Sequence, residues 1–418
     1  MKKVLIIANQ FPPMGGSGVQ RTLKFVKHLR TYGYEPVVLT RDIGNMKLRD
    51  NSMLADIPEG VQIIRTRNRD LTELSGVLAL PGKLIARKIL IPDAERLWAN
   101  SAFKTAEKLL LSEDIQLIYS TSYPYSDHLL AMKLKKRFPC KKWLADFRDE
   151  WTNNPYTLDN PHSKFRTNKE KKLEKAVVSS ADFLLTNTPV MLENFVRNNG
   201  LSSENTAFIP NGYDLDDFKG LDLTPPKNER FTMTYAGLLY GRRKPDTFFA
   251  ALQSLINAGK INKEEIDIRL IGNYNTKRLT EAIERYGLTG VVRILPYMPH
   301  RECVAELLKS DALLLLEGSG MGADAFYTGK IFEYMNTGRT VLCVLPVGCA
   351  RDLALEAKIG QVADFDSSKE IADEFYNIYK KYKSGTLAFE PNREVINRFE
   401  RGELTKRLAE IFDGMLKT

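Results

Sequence analysis

Short, unbroken apolar runs alternate along the chain with longer stretches in which apolar residues recur every three or four positions. Runs such as Val4-Leu-Ile-Ile7 and Ala312-Leu-Leu-Leu-Leu316 are what a parallel strand covered on both faces requires. In the first half, strands are predicted over 3–8, 36–40, 116–120, 142–146, 183–186 and 206–209, with helices over 19–32, 100–111, 126–137, 169–179 and 189–198. The first of these groups is a βαβ unit, whose crossover is expected to be right-handed. Periodicity fades from Asn211 to Arg230 through Asn211-Gly-Tyr-Asp-Leu-Asp-Asp217 and Thr224-Pro-Pro-Lys227, which reads as a linker. Alternation then resumes, with strands over 232–236, 267–271, 291–294, 312–316 and 340–344 and helices over 245–257, 275–286 and 299–309. A further helix carries Glu333, and a last one runs over 400–416.

This pattern predicts an α/β protein of two doubly wound, Rossmann-like domains facing across a cleft, with sites at the carboxyl ends of the strands. The domains are drawn as 1–210 and 231–395, joined by 211–230 and followed by a closing helix in 396–418. A length of 418 residues suits two hydrophobic cores better than one.

The apolar run after Met1-Lys-Lys3 stops at Asn9, far short of a signal-peptide core or a bilayer span, so a cytoplasmic protein is expected. Cys140, Cys303, Cys343 and Cys349 form no C-x-x-C pair, so neither a disulfide framework nor a zinc site is expected. The net charge of +9 is uneven. Residues 1–200 carry roughly +11 and the remainder roughly −2. Lys133 to Lys142 and Lys164 to Lys175 are basic clusters, and Leu78–Pro92 sets Lys83, Arg87 and Lys88 among Leu and Ile. These are solvated faces or contacts for an anionic partner, such as a phospholipid surface or a pyrophosphate lipid. Leu78–Pro92 is either a buried helix or an interfacial one.

Candidate chemistry gathers after the predicted strands. Gly15-Gly16-Ser17-Gly18 follows the first strand, where glycines let backbone N–H groups approach a phosphate or a sugar. G-x-G-x-x-G spacing is absent, which argues against a dinucleotide. Gly241-Arg242-Arg243-Lys244 puts three cations before a helix, suited to a diphosphate leaving group. Gly272 closes a strand and reads equally as a close approach to a nucleobase or as a loop turn. Thr328-Gly329-Lys330 opens the helix in which Glu333 stands about one turn on, roughly 6–8 Å from a helix start that favours pyrophosphate, within reach of a ribose hydroxyl. Asp149 and His128 end or follow first-domain strands and would line a sugar or acceptor site; Asp149 reads equally as a salt bridge to Arg148 or a helix cap, and His128 as an ordinary helix residue. Asp214-Leu-Asp216 reads as structural. No P-loop or Ser-His-Asp order is present, which removes support for NTP hydrolysis and acyl transfer.

Taken together, the chain resembles the family 4 retaining glycosyltransferases of GT-B fold, over nearly its whole length. The resemblance rests on Phe11-Pro-Pro with Gly15-Gly16, on Asp146-Phe-Arg148-Asp149-Glu-Trp151, on Asn211-Gly-Tyr-Asp214 and on Gly329-Lys330-Ile-Phe-Glu333-Tyr-Met. The second of these is similar to segments of members that build bacterial surface polysaccharides. The resemblance implies transfer of a sugar from a UDP- or GDP-linked donor to a glycan, glycolipid or other hydroxyl acceptor, with retention, without a metal and without nucleic acid. It further implies that Glu333 binds ribose, that backbone near Gly16 and Gly329 holds the diphosphate, that Arg243 and Lys244 neutralise the leaving group, and that Asp149 or His128 places the acceptor. The family's last helix crosses back to the first domain, as 400–416 would. Two positions depart from it: Ala325 replaces a glutamate that contacts the donor sugar, and Leu238 replaces an arginine, for which Arg242 or Arg243 substitutes. A sugar-nucleotide epimerase of this architecture and a catalytically silent GT-B subunit remain as alternatives.

Overall fold

The computed structural model describes residues 1–44, 49–68, 89–224 and 228–417. Residues 78–88 of the Leu78–Pro92 segment and 225–227 of the linker lie outside them. The chain forms two compact units, Met1–Asn211 with Arg401–Thr418, and Gly212–Glu400.

The first unit is built on seven parallel strands: β1 (Lys2–Ile7), β2 (Tyr34–Arg41), β3 (Gln62–Thr66), β4 (Ile115–Ser122), β5 (Lys142–Phe147), β6 (Phe183–Thr186) and β7 (Thr206–Phe208). Their spatial order is β3-β2-β1-β4-β5-β6-β7. β1 lies inside the sheet: Val4 lies opposite Pro36 on one side and Leu117 on the other. One face of the sheet is covered by helix Ser17–Leu29, through Val19, Leu23 and Val26, and by the last helix, Arg401–Lys417, through Leu404, Leu408 and Phe412. Helix Ser17–Leu29 passes into a short turn that ends at Gly33, in the left-handed region at φ 84°, where glycine carries no Cβ penalty.

The second unit repeats the plan with β8 (Phe231–Ala236), β9 (Ile266–Ile271), β10 (Val292–Leu295), β11 (Ala312–Leu316), β12 (Thr340–Leu345) and β13 (Gly360–Asp364). Their order, β10-β9-β8-β11-β12-β13, is that of the first six strands of the other sheet. Its core joins the strands to helices Asp246–Asn257 and Ser368–Lys383 through Phe248, Leu252, Ile371 and Phe375. In each sheet the strand order reverses at one place, between β1 and β4 and between β8 and β11, and loops leaving there in opposite directions open a crevice for ligands.

The linker expectation changes at Gly212. From there the chain belongs to the second unit, and the turn Leu215–Phe218 packs Phe218 against Val304 and Leu308. Asp214 caps that turn, accepting from the Asp216 amide at 3.0 Å, which gives the Asp-x-Asp a structural role.

Candidate active site

In the second unit, charged side chains collect at the carboxyl edge of the sheet. Glu333 is the fifth residue of the seven-residue helix Gly329–Met335. With so few turns the helix dipole contributes little, and the side chains set the local field. Glu333 is nearly buried: its Oε2 takes Lys330 Nζ at 2.6 Å and its Oε1 lies 3.0 Å from His300 Nε2. Burial alone would favour the neutral acid, but Lys330 and His300 outweigh it and hold the carboxyl well below the usual carboxylate range. Lys330 is pulled the other way: burial opposes its charge, and Glu333 more than restores it.

Next to this group lies a second ion pair. Arg243 Nε sits 2.8 and 2.9 Å from the two oxygens of Glu317, the residue immediately after β11. Arg243 comes from the loop after β8, so the pair spans the point where the strand order reverses. Its guanidinium also lies over the rings of Tyr240 and Phe326, at 5.8 and 5.6 Å. The Tyr235 hydroxyl feels Arg243, Glu317 and Lys330 at once, which places members of both ion pairs near one phenol. Tyr334 ties the edge down by accepting from the Ala236 amide at 2.9 Å.

Glycine spacing has a packing cause here. A Cβ on Gly272 would stand 2.2 Å from the Gly237 carbonyl, so the ends of β8 and β9 approach this closely only through glycine. Gly318 likewise leaves room for the backbone of Arg242. Arg242 itself bonds the Met321 carbonyl at 2.7 Å and packs beneath Gly320. It therefore anchors the loop after β11. Lys244 is exposed and, among the described residues, has no ion-pair partner. Gly329 is exposed at the helix start. Ala325 is buried in the turn Ala323–Ala325, and the neighbouring Asp324 is exposed.

In the first unit the Asp-x-Arg-Asp segment organises the edge. Asp146, fully buried, receives Arg21 Nε and Nη2 at 2.8 and 2.9 Å and bonds Tyr119 and Thr121. Burial would raise its pKa; Arg21 and Tyr119 bring it below the ordinary value. Arg148 bonds the carbonyls of Gly18, Ser122 and Tyr123, clamping the first turn of the helix Ser17–Leu29 to the end of β4. Gly16, at φ 106°, begins the helix Ser17–Leu29 without a side-chain cap, while Gly15 is buried. Asp149 is half-buried, and its charge acts on Arg148 and on Tyr125, which stacks on Trp151 at 4.6 Å.

His128 requires a correction. It is buried with no exposed surface, tilted against Phe147, and its Nδ1 lies 2.8 Å from Ser120 Oγ. Trp143 Nε1 donates to that same oxygen, which leaves the Ser120 proton for His128 Nδ1. Burial pushes the ring down to about 3, a neutral core histidine and not a group that places an acceptor. His300, in contrast, is a member of the charged cluster that no motif in the sequence singles out. Thirty-three residues separate it from Glu333, and no local pattern links the two.

The family model described as Glycosyltransferase Family 4 matches residues 15–217. No curated protein matches the sequence. Among solved structures, the chain is similar to a sucrose-phosphate synthase from Thermosynechococcus elongatus, at 14% identity and a TM-score of 0.67 with all of both chains covered. It is similar to HepE of Anabaena in complex with UDP and glucose, at 14% identity and 0.66, covering 99% of this chain and 100% of that one. The lipopolysaccharide outer core galactosyltransferase WaaB matches at 14% identity and 0.61, with 99% of each chain covered. At such identities the likeness is one of fold, the two-domain GT-B architecture. Among the described residues no helix is long and apolar enough to cross a membrane.

Proposed function

A chain whose residues 15–217 carry the family 4 domain, on a GT-B fold, is a glycosyltransferase, and from that premise we propose that it moves a sugar from a nucleotide diphosphate sugar to an acceptor hydroxyl with retention at the anomeric carbon. The observation that carries the donor assignment is Glu333. A carboxylate kept ionised at the carboxyl edge of the second sheet, with one oxygen on Lys330 and the other on His300, retains lone pairs for the two hydroxyls of a ribose. UDP is the first nucleotide to try, because HepE, a structural neighbour, is in complex with UDP and with UDP-glucose. Arg243 and Lys244 supply positive charge for the diphosphate as the glycosidic bond breaks. The first unit takes the acceptor, a glycan or lipid-linked glycan, with Asp149 beside it, in cell-surface polysaccharide or glycoconjugate synthesis. By resemblance the transfer needs no metal, so EDTA is expected to leave the rate unchanged.

We also propose that the first unit meets an anionic membrane surface through helix Lys164–Ser180. Phe165 is exposed there, with Lys169 Nζ 5.9 Å from its ring centre, and Lys164, Lys171, Lys172 and Lys175 are exposed beside it.

The test is a panel of UDP-, GDP- and ADP-sugars with added glycan or polyprenyl-linked acceptors, following nucleotide release and sugar isomers together. Acceptor-dependent release of nucleotide, lost by about 100-fold or more in Glu333→Ala, is the expected result. Interconversion of sugars without release, or indifference to Glu333→Ala, would overturn it.

A further inference from the structure

His300 opens the helix His300–Leu308 directly after Pro299, and its ring stands between two carboxylates. Nε2 is 3.0 Å from Glu333 Oε1 and Nδ1 is 4.0 Å from Asp217 Oδ2, with the imidazole largely enclosed. The three residues come from three separate elements: Asp217 from the turn Leu215–Phe218, His300 from its own helix and Glu333 from the helix Gly329–Met335. Lys330 holds the other Glu333 oxygen, but it reaches there from three residues back on the same short helix, by a flexible stem that fixes the distance and not the plane of the carboxylate. A second contact, from a rigid ring on another element, fixes that plane.

We propose that His300 is a positioning residue of the donor site: its imidazolium locks Glu333 in the orientation that receives a ribose diol, and loss of the ring proton weakens nucleotide binding. The inference rests on the nucleotide-sugar reading of this site. The charged and titratable groups around the ring are Glu333 and Lys330 on the helix Gly329–Met335 and Asp217 on its turn, while Cys303, on the ring's own helix, faces the same Glu333 and Lys330. Burial favours the neutral ring and Lys330 opposes its charge, but Glu333 and then Asp217 outweigh both and raise its pKa above the ordinary histidine value. With the pKa raised, the charged bridge is complete below the ordinary histidine range and is lost as pH rises through the raised value.

The chain has only four histidines, so the His300 ring can be followed in nitrogen-15 spectra of the whole protein. Its titration is expected to shift to lower pH in Glu333→Gln. Calorimetry with UDP, GDP and ADP at pH 6.5 and pH 9 is expected to show wild-type affinity falling by about 10-fold at the higher pH. His300→Ala should be about 10-fold weaker at pH 6.5, raising the donor KM more than it lowers kcat. His300→Gln keeps a donor without a titrating proton, so it should recover part of that affinity and lose the pH slope. A His300→Gln protein with the wild-type slope, or a His300→Ala protein that binds like wild type, overturns the proposal. Failure of wild type to bind any of the three nucleotides sinks the donor reading itself. A His300 titration unmoved by Glu333→Gln sinks the positioning role even where nucleotide binds.

Discussion

Single residues at the two sheet edges work by being held, and Asp146 shows what holding is worth. It accepts from Arg21 twice and from Tyr119 and Thr121, with no exposed surface, and Arg21 also donates to the carbonyls of Ile209 and Pro210. Asp146→Asn leaves the Arg21 guanidinium buried without its counter-charge, a change that costs about 3–5 kcal/mol where it has been measured in proteins. Against a typical stability of about 5–15 kcal/mol this is a large fraction, so the urea midpoint is expected to fall sharply at pH 7. Asp146 and Glu333 both have lowered pKa values. Their contribution is therefore complete above about pH 4.5 and is lost only as pH falls through the lowered values. The gap between wild type and Asp146→Asn should accordingly stay constant from pH 7 to 5 and narrow below pH 4; a gap that closes between pH 7 and 5 would contradict the assignment. At this scale the sequence was only partly legible. Asp146 and Arg148 stood out as a motif, and Glu333 as a carboxylate one turn into a helix. The same reasoning put His128 at a rim, because burial of a strand-to-helix junction depends on neighbours such as Phe147 that sequence proximity does not reveal.

At the scale of elements, the central strands were readable because burial on both faces leaves no polar position to blur the run, as in Ala312–Leu316. One edge strand of each sheet was not: Gln62-Ile-Ile-Arg-Thr66 is half-exposed at the end of its sheet, and Gly360-Gln-Val-Ala-Asp364 is similar at the end of the other, whereas the strands at the opposite edges, Thr206–Phe208 and Val292–Leu295, had been expected. Helix Ser368–Lys383 left a signal in Ser367, whose side chain accepts from the Glu370 amide, with the Glu370 carboxylate reaching back to Asp364 N. Helix Lys164–Ser180 was predicted five residues too short at its start, where Ser163 caps it and where Lys164 and Phe165 turn out to be exposed. That added turn carries the membrane prediction. A lysine near an anionic bilayer contributes about 1 kcal/mol, so Lys164, Lys169, Lys171 and Lys172 together provide a salt-sensitive attraction. Co-sedimentation with vesicles containing phosphatidylglycerol is expected, weakened by 0.5 M salt, by Phe165→Ser and by charge reversal at Lys171 and Lys172. Equal sedimentation with neutral phosphatidylcholine vesicles would remove the proposal.

Across the whole molecule, one strand order is used twice, and in both sheets an arginine spans the reversal point: Arg148 between the first turn of the helix that follows β1 and the end of β4, Arg243 between the loops after β8 and β11. Loops that leave a sheet in opposite directions share no strand hydrogen bonds beyond its edge, so a guanidinium with several donors is suited to join them. The last helix has a different task, since its residues follow the second unit in sequence but belong to the first unit's core, where Leu404, Leu408, Phe412 and Met415 are buried. Phe412 lies edge-on to Tyr34 and Tyr119, at 5.2 and 6.4 Å. Phe412→Ala removes those contacts and opens a cavity, at a cost of about 3–5 kcal/mol. All three tryptophans, Trp98, Trp143 and Trp151, are in the first unit, so their fluorescence reports its unfolding alone. Phe412→Ala is therefore expected to lower the fluorescence midpoint by several degrees while affinity for UDP, whose proposed site lies in the second unit, stays within about two-fold of wild type. An unchanged fluorescence midpoint would mean that the last helix does not support the first core, and an equal loss of nucleotide binding would mean that the two units fold as one.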